Sequence, residues 1–397
     1  MHLKNYVSLF LVSTLSLCAA ENSSLLSALK QQKVEIDKQK NELESQNLKY
    51  DWINNIVGSY SYINSDQTTS EKKTGLFSVT IDQPIFKSGG IYFAIQYAGA
   101  NREFLELSTK LSEQTLIKSV ISSWLMIKRY DAQIQKQQAL IANAKIDIIR
   151  KKEQYENGFL DSSFLDNAIL NKGALEKALI DMESARFEQL MAFESLSDMD
   201  YTTIEPPKFM LVDEANFLEN SLVIKQQNAN SIKSDYLKKM TISNYLPTVS
   251  FTAGYYDSEI DVGSTNTKDA YRNFGLKVSM PLLSVNRGRT IEIRKLEALK
   301  AKLELDDVKR SEKSEYRSIV KKIELLSKKG QIALEDYKLY ESLLNSTTEL
   351  YSAGEKTIYD VDTLKNSKET MKFDKQIYDI DIQLSLLSLY AKMNGKI

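Results

Sequence analysis

The chain has 397 residues, enough for two or three ordinary domains, and 42% of them are hydrophobic. Its charges nearly cancel, 52 Lys+Arg against 53 Asp+Glu, so no basic face is implied and nucleic acid is not an expected partner. The single Cys and the single His are Cys18 and His2, so a chain that loses its first residues has no thiol or imidazole, which excludes disulfides, Cys or His nucleophiles and the usual zinc sites.

Residues 1–20 read as a secretory signal. Lys4 precedes an apolar run from Tyr6 to Leu17, and Cys18, Ala19 and Ala20 are small, with cleavage expected after Ala20. The run is too short to span a bilayer. Cys18 raises lipid attachment as a second option, although the preceding Leu-Ser-Leu is a poor fit. No Gly-rich phosphate loop or paired-acid motif stands out, and neither enzyme activity nor a cofactor is expected.

The rest reads as two copies of one unit, 21–205 and 206–397. The first is expected to run helix, strand pair at about 52–86, then helical hairpin at about 98–198. Phe77, Val79 and Ile81 alternate with Ser78, Thr80 and Asp82, a period of two with one apolar face. "IDQPIFKSGG" (81–90) follows, with Pro84 expected to end ladder pairing and Gly89 and Gly90 to allow a sharp change of direction. A helix from about Ala98 to Asn157 would be roughly 90 Å long. "YENG" (155–158) ends it, and Gly158 suits a helix C-cap.

The second unit repeats the order, with a strand pair at about 247–281 and a hairpin at about 288–394. Phe274, Leu276, Val278 and Met280 alternate with Asn273, Gly275, Lys277 and Ser279. Pro281 and Gly288 are its counterparts of Pro84 and the glycine pair. A helix from Gly288 to about Ala353 would be roughly 100 Å long. Along it Tyr316, Ile319, Ile323, Leu326, Gly330, Ala333, Tyr337, Tyr340 and Leu344 form a heptad seam, while Leu325, Ile332 and Leu339 step by seven on an adjacent face. Two seams suit a helix between two neighbours; a simple two-helix coiled coil is the other reading. "YSAG" (351–354) lies 196 residues after "YENG", as Gly254 lies 196 after Gly58, and Pro281 follows Pro84 by 197.

The alternation suits a strand between lipid and a wet lumen, or a half-buried soluble sheet. "NSDQTTSEKKT" (64–74) and "DSEIDVGSTNTKD" (257–269) are expected to be polar loops on an outer surface. Four strands cannot close a barrel and lipid tolerates no open edge, so a membrane reading requires several chains to share one barrel.

With these features the chain resembles the TolC-like outer membrane efflux protein family. The resemblance rests on the duplication, on "QPIFKSGGIYFAIQYAGAN" and "YLPTVSFTAGYY", and on "YENGFLDSSFLDNAIL" and "YSAGEKTIYDVDTLKNSKE" at the helix turns. It implies a mainly α fold with a small β part: a homotrimer whose shared twelve-stranded barrel sits in outer membrane lipid, continued by a helical tunnel across the periplasm. It also implies a periplasmic adaptor (membrane fusion protein) and an inner-membrane RND or ABC transporter as partners, with cargo conducted unchanged.

By the same resemblance the periplasmic end closes at the helix turns, and adaptors dock at Gly158 and Gly354. Asp360 falls on the family's first acidic gate position; the second is Thr363 here, with Asp362 beside it. Tyr351 matches the closing tyrosine, Lys356 stands at the family's arginine and Phe164 at its aspartate, so the family's salt-bridge lock is not reproduced. Asp360 alternatively suits the first turn of a helix as a favourable charge. The rival from another class is a periplasmic coiled-coil structural or adaptor protein without a barrel.

Overall fold

The computed structural model describes residues 25–67, 70–262 and 265–393. The expected signal (1–20), with Cys18, lies outside the described residues. In chain order the elements are α1 (Ala28–Tyr50), β1 (Val57–Gln67), β2 (Ser70–Phe86), α2 (Gly90–Glu156), α3 (Ser162–Glu194), α4 (Glu214–Asn220), α5 (Leu222–Ser243), β3 (Thr248–Val262), β4 (Thr265–Ser279), α6 (Arg287–Ser352) and α7 (Ile358–Tyr390). The duplication holds to the residue at the far end: α7 starts and stops 196 positions after α3.

Helices α2 and α6 have 67 and 66 residues, roughly 100 Å each. All five prolines lie outside them, as unbroken hydrogen-bond ladders require. α2 begins at Gly90, eight residues before the expected Ala98. Its first turns carry Tyr92, Phe93 and Tyr97, whose bulk hides the helical start in the sequence. Gly90 is buried against Ser243 of α5, and a Cβ there would collide with that hydroxyl.

The helices form two tiers, each four helices wide. The N-terminal half of α2 lies between α1 and α5: Asn41 Nδ2 donates to Thr109 Oγ1 at 2.8 Å, and Gln226 Nε2 to Ser108 Oγ. Its C-terminal half lies between α3 and α7, with Arg186–Asp131 at 2.6 Å and Arg129–Asp381 at 2.7 Å. α6 packs on α5 first and on α7 later. The order is therefore α1-α2-α5-α6 near the sheet and α3-α2-α7-α6 away from it.

Apolar cores are concentrated where the tiers meet. One joins Leu26, Val120, Trp124, Ile127 and Phe193; a second joins Ile121, Leu125, Phe209, Leu386 and Leu387; a third joins Phe217, Tyr316, Leu389 and Met393. The segment after α3, together with α4 and the end of α7, wraps this belt, and Tyr316 Oη donates to the Val212 carbonyl at 2.6 Å. Glu312 is buried there and is held by Lys392 at 2.7 Å.

The expected seam on α6 faces α7: Tyr316, Gly330 and Ala333 are buried and the other six positions half-buried. The second line stays open, with Leu325, Ile332 and Leu339 exposed by 50%, 58% and 59%. α1 carries a similar open stripe at steps of seven, Leu29, Ile36, Leu43 and Tyr50. Exposed Leu170, Ile180 and Phe187 lie on α3. The outermost helices of both tiers thus present apolar side chains that the chain itself does not cover.

Candidate functional site

Two places carry the candidate site residues: the sheet with its exits into the helices, and the two helix turns at the far end.

The sheet is a four-stranded antiparallel meander, β1-β2-β3-β4. The β2–β3 pairing joins the two repeats, and both β1 and β4 keep an unpaired edge. Directly paired residues share a face. Ser59, Ser78 and Tyr256 lie on one, continued by Thr80, Asp82, Ser250, Thr252, Asn273 and Lys277. Lys277 and Asp82 form an ion pair across β3 at 3.1 Å, and Tyr256 stacks on Tyr271 at 5.0 Å. The other face carries Tyr60, Tyr62, Phe77, Val79, Ile81, Phe251, Tyr255, Phe274, Leu276 and Val278.

The apolar face is left open where a water-soluble sheet would cover it, and the two buried side chains of the sheet lie on the polar face. On the polar face Ser78 and Ser250 are only 7% and 5% exposed, whereas on the apolar face Phe274, Leu276 and Val278 are 85%, 70% and 71% exposed. A half-buried soluble sheet encloses its apolar face.

Both expected polar loops are mostly strand. Asn64–Gln67 pair with Ser70–Lys73, and Asp257–Val262 pair with Thr265–Ala270. These mostly polar stretches, with Ile260 and Val262 as exceptions, leave too short an apolar period to read, yet the backbone ladder continues, helped by a Lys268–Glu259 pair at 2.9 Å.

The exits differ from expectation at three residues, Pro84, Gly90 and Gly288; Gly90 makes no turn, being already the first residue of α2 with no positive φ. Pro84 does not end the ladder: it pairs with Ser250, and β2 continues to Phe86 through a register shift. Proline is tolerated there because β1 has already ended on that side, its first pair being Val57–Thr80. Gly89 does turn the chain, with φ +84°, following Ser88 at φ +47°. Ser88 Oγ donates to the Pro247 carbonyl at 2.7 Å, tying this exit to the start of β3. Pro281 lies just beyond β4, as expected. Gly288 makes no turn; it is already inside α6, has no positive φ and faces open space.

At the far end both turns have the same backbone. Gly158 and Gly354 have φ +72° and +81°. Gly158 N–H donates to the Tyr155 carbonyl at 3.0 Å and Phe159 N–H to that of Gln154 at 2.8 Å; Gly354 donates to Tyr351 at 3.0 Å and Glu355 to Leu350 at 2.9 Å. This is the Schellman closure, in which a left-handed glycine satisfies the last helical carbonyls. It accounts physically for the repeated glycine, since the tyrosines contribute only their backbone carbonyls.

The side chains diverge after the glycines. In the first turn Asp161 caps α3 by accepting from Ser163 N–H at 2.9 Å, and that bond holds its carboxyl below the usual carboxylate range. Phe164 stands at the third helical position and is 53% exposed, with Phe159 beside it at 82%. In the second turn Asp360 occupies the equivalent third position of α7. Its Oδ2 accepts from Thr357 N–H at 3.0 Å and from Thr357 Oγ1 at 2.8 Å, and its Oδ1 meets Arg150 Nη2 of α2 at 2.7 Å. The Thr357 bonds lower its pKa most, with Arg150 and Lys356 adding to them.

Of the six gate residues read from the sequence, the structure thus draws Asp360 into a capping box and an ion pair. Thr363 Oγ1 donates to the Tyr359 carbonyl at 2.6 Å, and the Thr363 carbonyl accepts from Asn143 Nδ2 at 3.3 Å. The side chains of Asp362, Tyr351 and Lys356 form no hydrogen bond or ion pair among the described residues. Arg150 was not among the residues singled out. It lies 210 positions from Asp360, and only the column of residues at steps of seven on α2 could have pointed to it.

No family model matches this chain, and no curated protein matches it. Solved structures do. The outer membrane protein VceC from Vibrio cholerae is 14% identical, with a TM-score of 0.69, over 91% of this chain and 93% of that one. The Campylobacter jejuni CmeC outer membrane channel is 13% identical, with a TM-score of 0.71, over 94% and 84%. CusC, described with transmembrane channel formation, is 13% identical, with a TM-score of 0.69, over 92% and 89%. The chain therefore has the fold expected from the resemblance to the TolC-like family: mainly α, with a four-stranded antiparallel sheet, over nearly its whole length.

Proposed function

We propose that this chain is one protomer of an outer membrane channel serving efflux, working as a homotrimer and conducting cargo that it does not transform. The observation that carries the reading is the sheet: its apolar face is open, its two buried side chains, Ser78 and Ser250, lie on the polar face, and both edges are unpaired among the described residues. In water such a face costs free energy, at about 25 cal/mol per Å² of apolar surface left uncovered. Against hydrocarbon it does not, provided the open edges close on further copies. The uncovered stripes on α1, α3 and α6 lie on the outermost helices, where the same copies would cover them. Three copies give the twelve strands that the family resemblance implies.

In this reading the turns at Gly158 and Gly354 face the periplasm and meet an adaptor, with an RND or ABC transporter beyond it. Asp360 belongs to the closing contacts through Arg150, in place of the tyrosine–arginine–aspartate contacts of the family. Asp362 is the carboxylate left free to act on passing cations. No helix among the described residues is long and apolar enough to cross a membrane, and this reading assigns the span to the strands.

The test is conductance. Purified protein in planar bilayers should form cation-preferring channels, and Asp362→Asn should reduce that preference. A protein that stays soluble without detergent and adds no conductance would favour the periplasmic coiled-coil alternative.

A further inference from the structure

The two exits from the sheet into the long helices are equivalent by duplication and unequal in surroundings. At the first exit the chain covers itself: Ser88 Oγ donates to the Pro247 carbonyl at 2.7 Å, and Gly90 is buried against Ser243 of α5. At the second exit Leu282, Leu283 and Val285 are 89%, 89% and 84% exposed. They follow directly on the open apolar side chains of β4, Phe274, Leu276 and Val278. A neighbouring strand does not hide this position. Ile85 and Phe86, 197 residues earlier, stay 55% and 56% exposed although β3 pairs beside them.

Arg287 and Arg289 come next, in the first turn of α6. Neither meets a carboxylate among the described residues: Arg287 lies over the Tyr245 ring at 5.7 Å, and Arg289 Nη1 donates to Asn286 Oδ1 at 3.4 Å. Cations in a first turn oppose the helix dipole, so the stability of α6 does not account for them. Near the end of α5, Lys238 and Lys239 share the one carboxylate of Asp235, and both line a groove with Lys295 of α6. The last nine residues of α5 and the first nine of α6 hold six cations and two acids. The matching ends of α1 and α2 hold one cation and two acids, so the positive excess belongs to the second exit alone.

We propose that the segment Leu282–Arg289 is an interfacial anchor for anionic phospholipid at the periplasmic surface of the membrane. Leu282, Leu283 and Val285 enter the acyl region; Arg287 and Arg289, supported by Lys238 and Lys239, meet the headgroup phosphates. The apolar side chains alone would accept any lipid, and the cations add a preference for headgroups of net negative charge. Long Arg and Lys stems let the charges reach phosphate from a helix that starts just below it. The anchor rests on the membrane placement of the sheet and adds a lipid class to it.

The test uses the full protein extracted in mild detergent. It is mixed with equal amounts of phosphatidylglycerol and phosphatidylethanolamine, and the lipid retained after gel filtration is quantified by mass spectrometry. The parent should retain phosphatidylglycerol in preference by about tenfold, and Arg287→Gln with Arg289→Gln should remove most of that preference. Leu282→Ser with Leu283→Ser should lower retention of both lipids. Lys30→Gln with Lys33→Gln, at the far end of α1, should leave the preference unchanged. Excess inorganic phosphate should not displace the lipid; displacement by it would assign a free-anion site and overturn the proposal. Equal retention of the two lipids by the parent would overturn it without any variant. So would an arginine variant that keeps the parental preference and instead alters the mass of the assembly or the ion preference of the channel. Mass and conductance are read on the same sample. A conducting three-chain assembly without lipid preference therefore refutes the anchor and leaves the channel, whereas a soluble single chain refutes both.

Discussion

The turn at Gly158 and the turn at Gly354 have one backbone and two chemistries. Each closes a 66- or 67-residue helix with the same left-handed glycine and the same pair of carbonyl contacts, and each starts a 33-residue helix on a β-region cap. At the third helical position after the turn, one copy has an exposed Phe164 and the other has Asp360 bound to Thr357 and Arg150. Duplication has kept the residues that set the path of the chain and released those that meet something else. The first turn offers apolar surface outward; the second is tied inward to α2.

The comparison sharpens into unequal responses at equivalent positions. Asp360→Ala should have the largest effect. It removes a capping box and a partly exposed ion pair, together about 1–2 kcal/mol of local stability in α7, measurable as faster exchange of the first turns of α7. Arg150→Ala should give a smaller part of the same effect, about 0.5–1 kcal/mol, because the cap survives. Gly158→Ala and Gly354→Ala should then cost about 1 kcal/mol each, and equally, because both strain a positive φ. A clear inequality between them in thermal unfolding would break the claim of a shared backbone. Phe164→Ala should have the smallest effect on stability, within about 0.5 kcal/mol, and should act instead on binding of an adaptor hairpin in a pull-down.

Acid separates the turns less than salt does. Asp161 and Asp360 both have folded pKa values below their unfolded ones, so the unfolded chain takes up protons first. Their contributions are present above an unfolded carboxylate pKa of about 3.9 and are lost only as pH falls through the lower folded values. Protection of α7 amides, corrected for the intrinsic pH dependence of exchange, should therefore agree at pH 7 and pH 5, while 1 M salt at pH 7 changes it. A large change already at pH 5 would contradict the assigned bonds.

The sequence carried the large pattern because long helices and duplicated caps leave local marks. The glycine of each turn records the Schellman closure, and the Tyr316–Leu344 seam records the α6–α7 contact. It did not carry what depends on distant partners. Arg150 and Asp360 are joined only by the antiparallel register of two helices. Pro84 stays in the ladder because β1 has ended beside it, which no local motif announces. The ladder between Asp257 and Ala270 carries apolar side chains at Ile260, Val262 and Ala270, too few to set a strand period in the sequence. Gly288 matched the glycine pair by position, yet the second exit turns without a positive φ.

The central claim is that this chain is incomplete by itself, with its sheet edges and its outer helix stripes closed by further copies in a membrane. The most direct measurement is the mass of the protein extracted from membranes in mild detergent, corrected for bound detergent and repeated after boiling. The account predicts three chains before boiling and one after it, with none recovered in the detergent-free soluble fraction. A monodisperse single chain in that soluble fraction would contradict it.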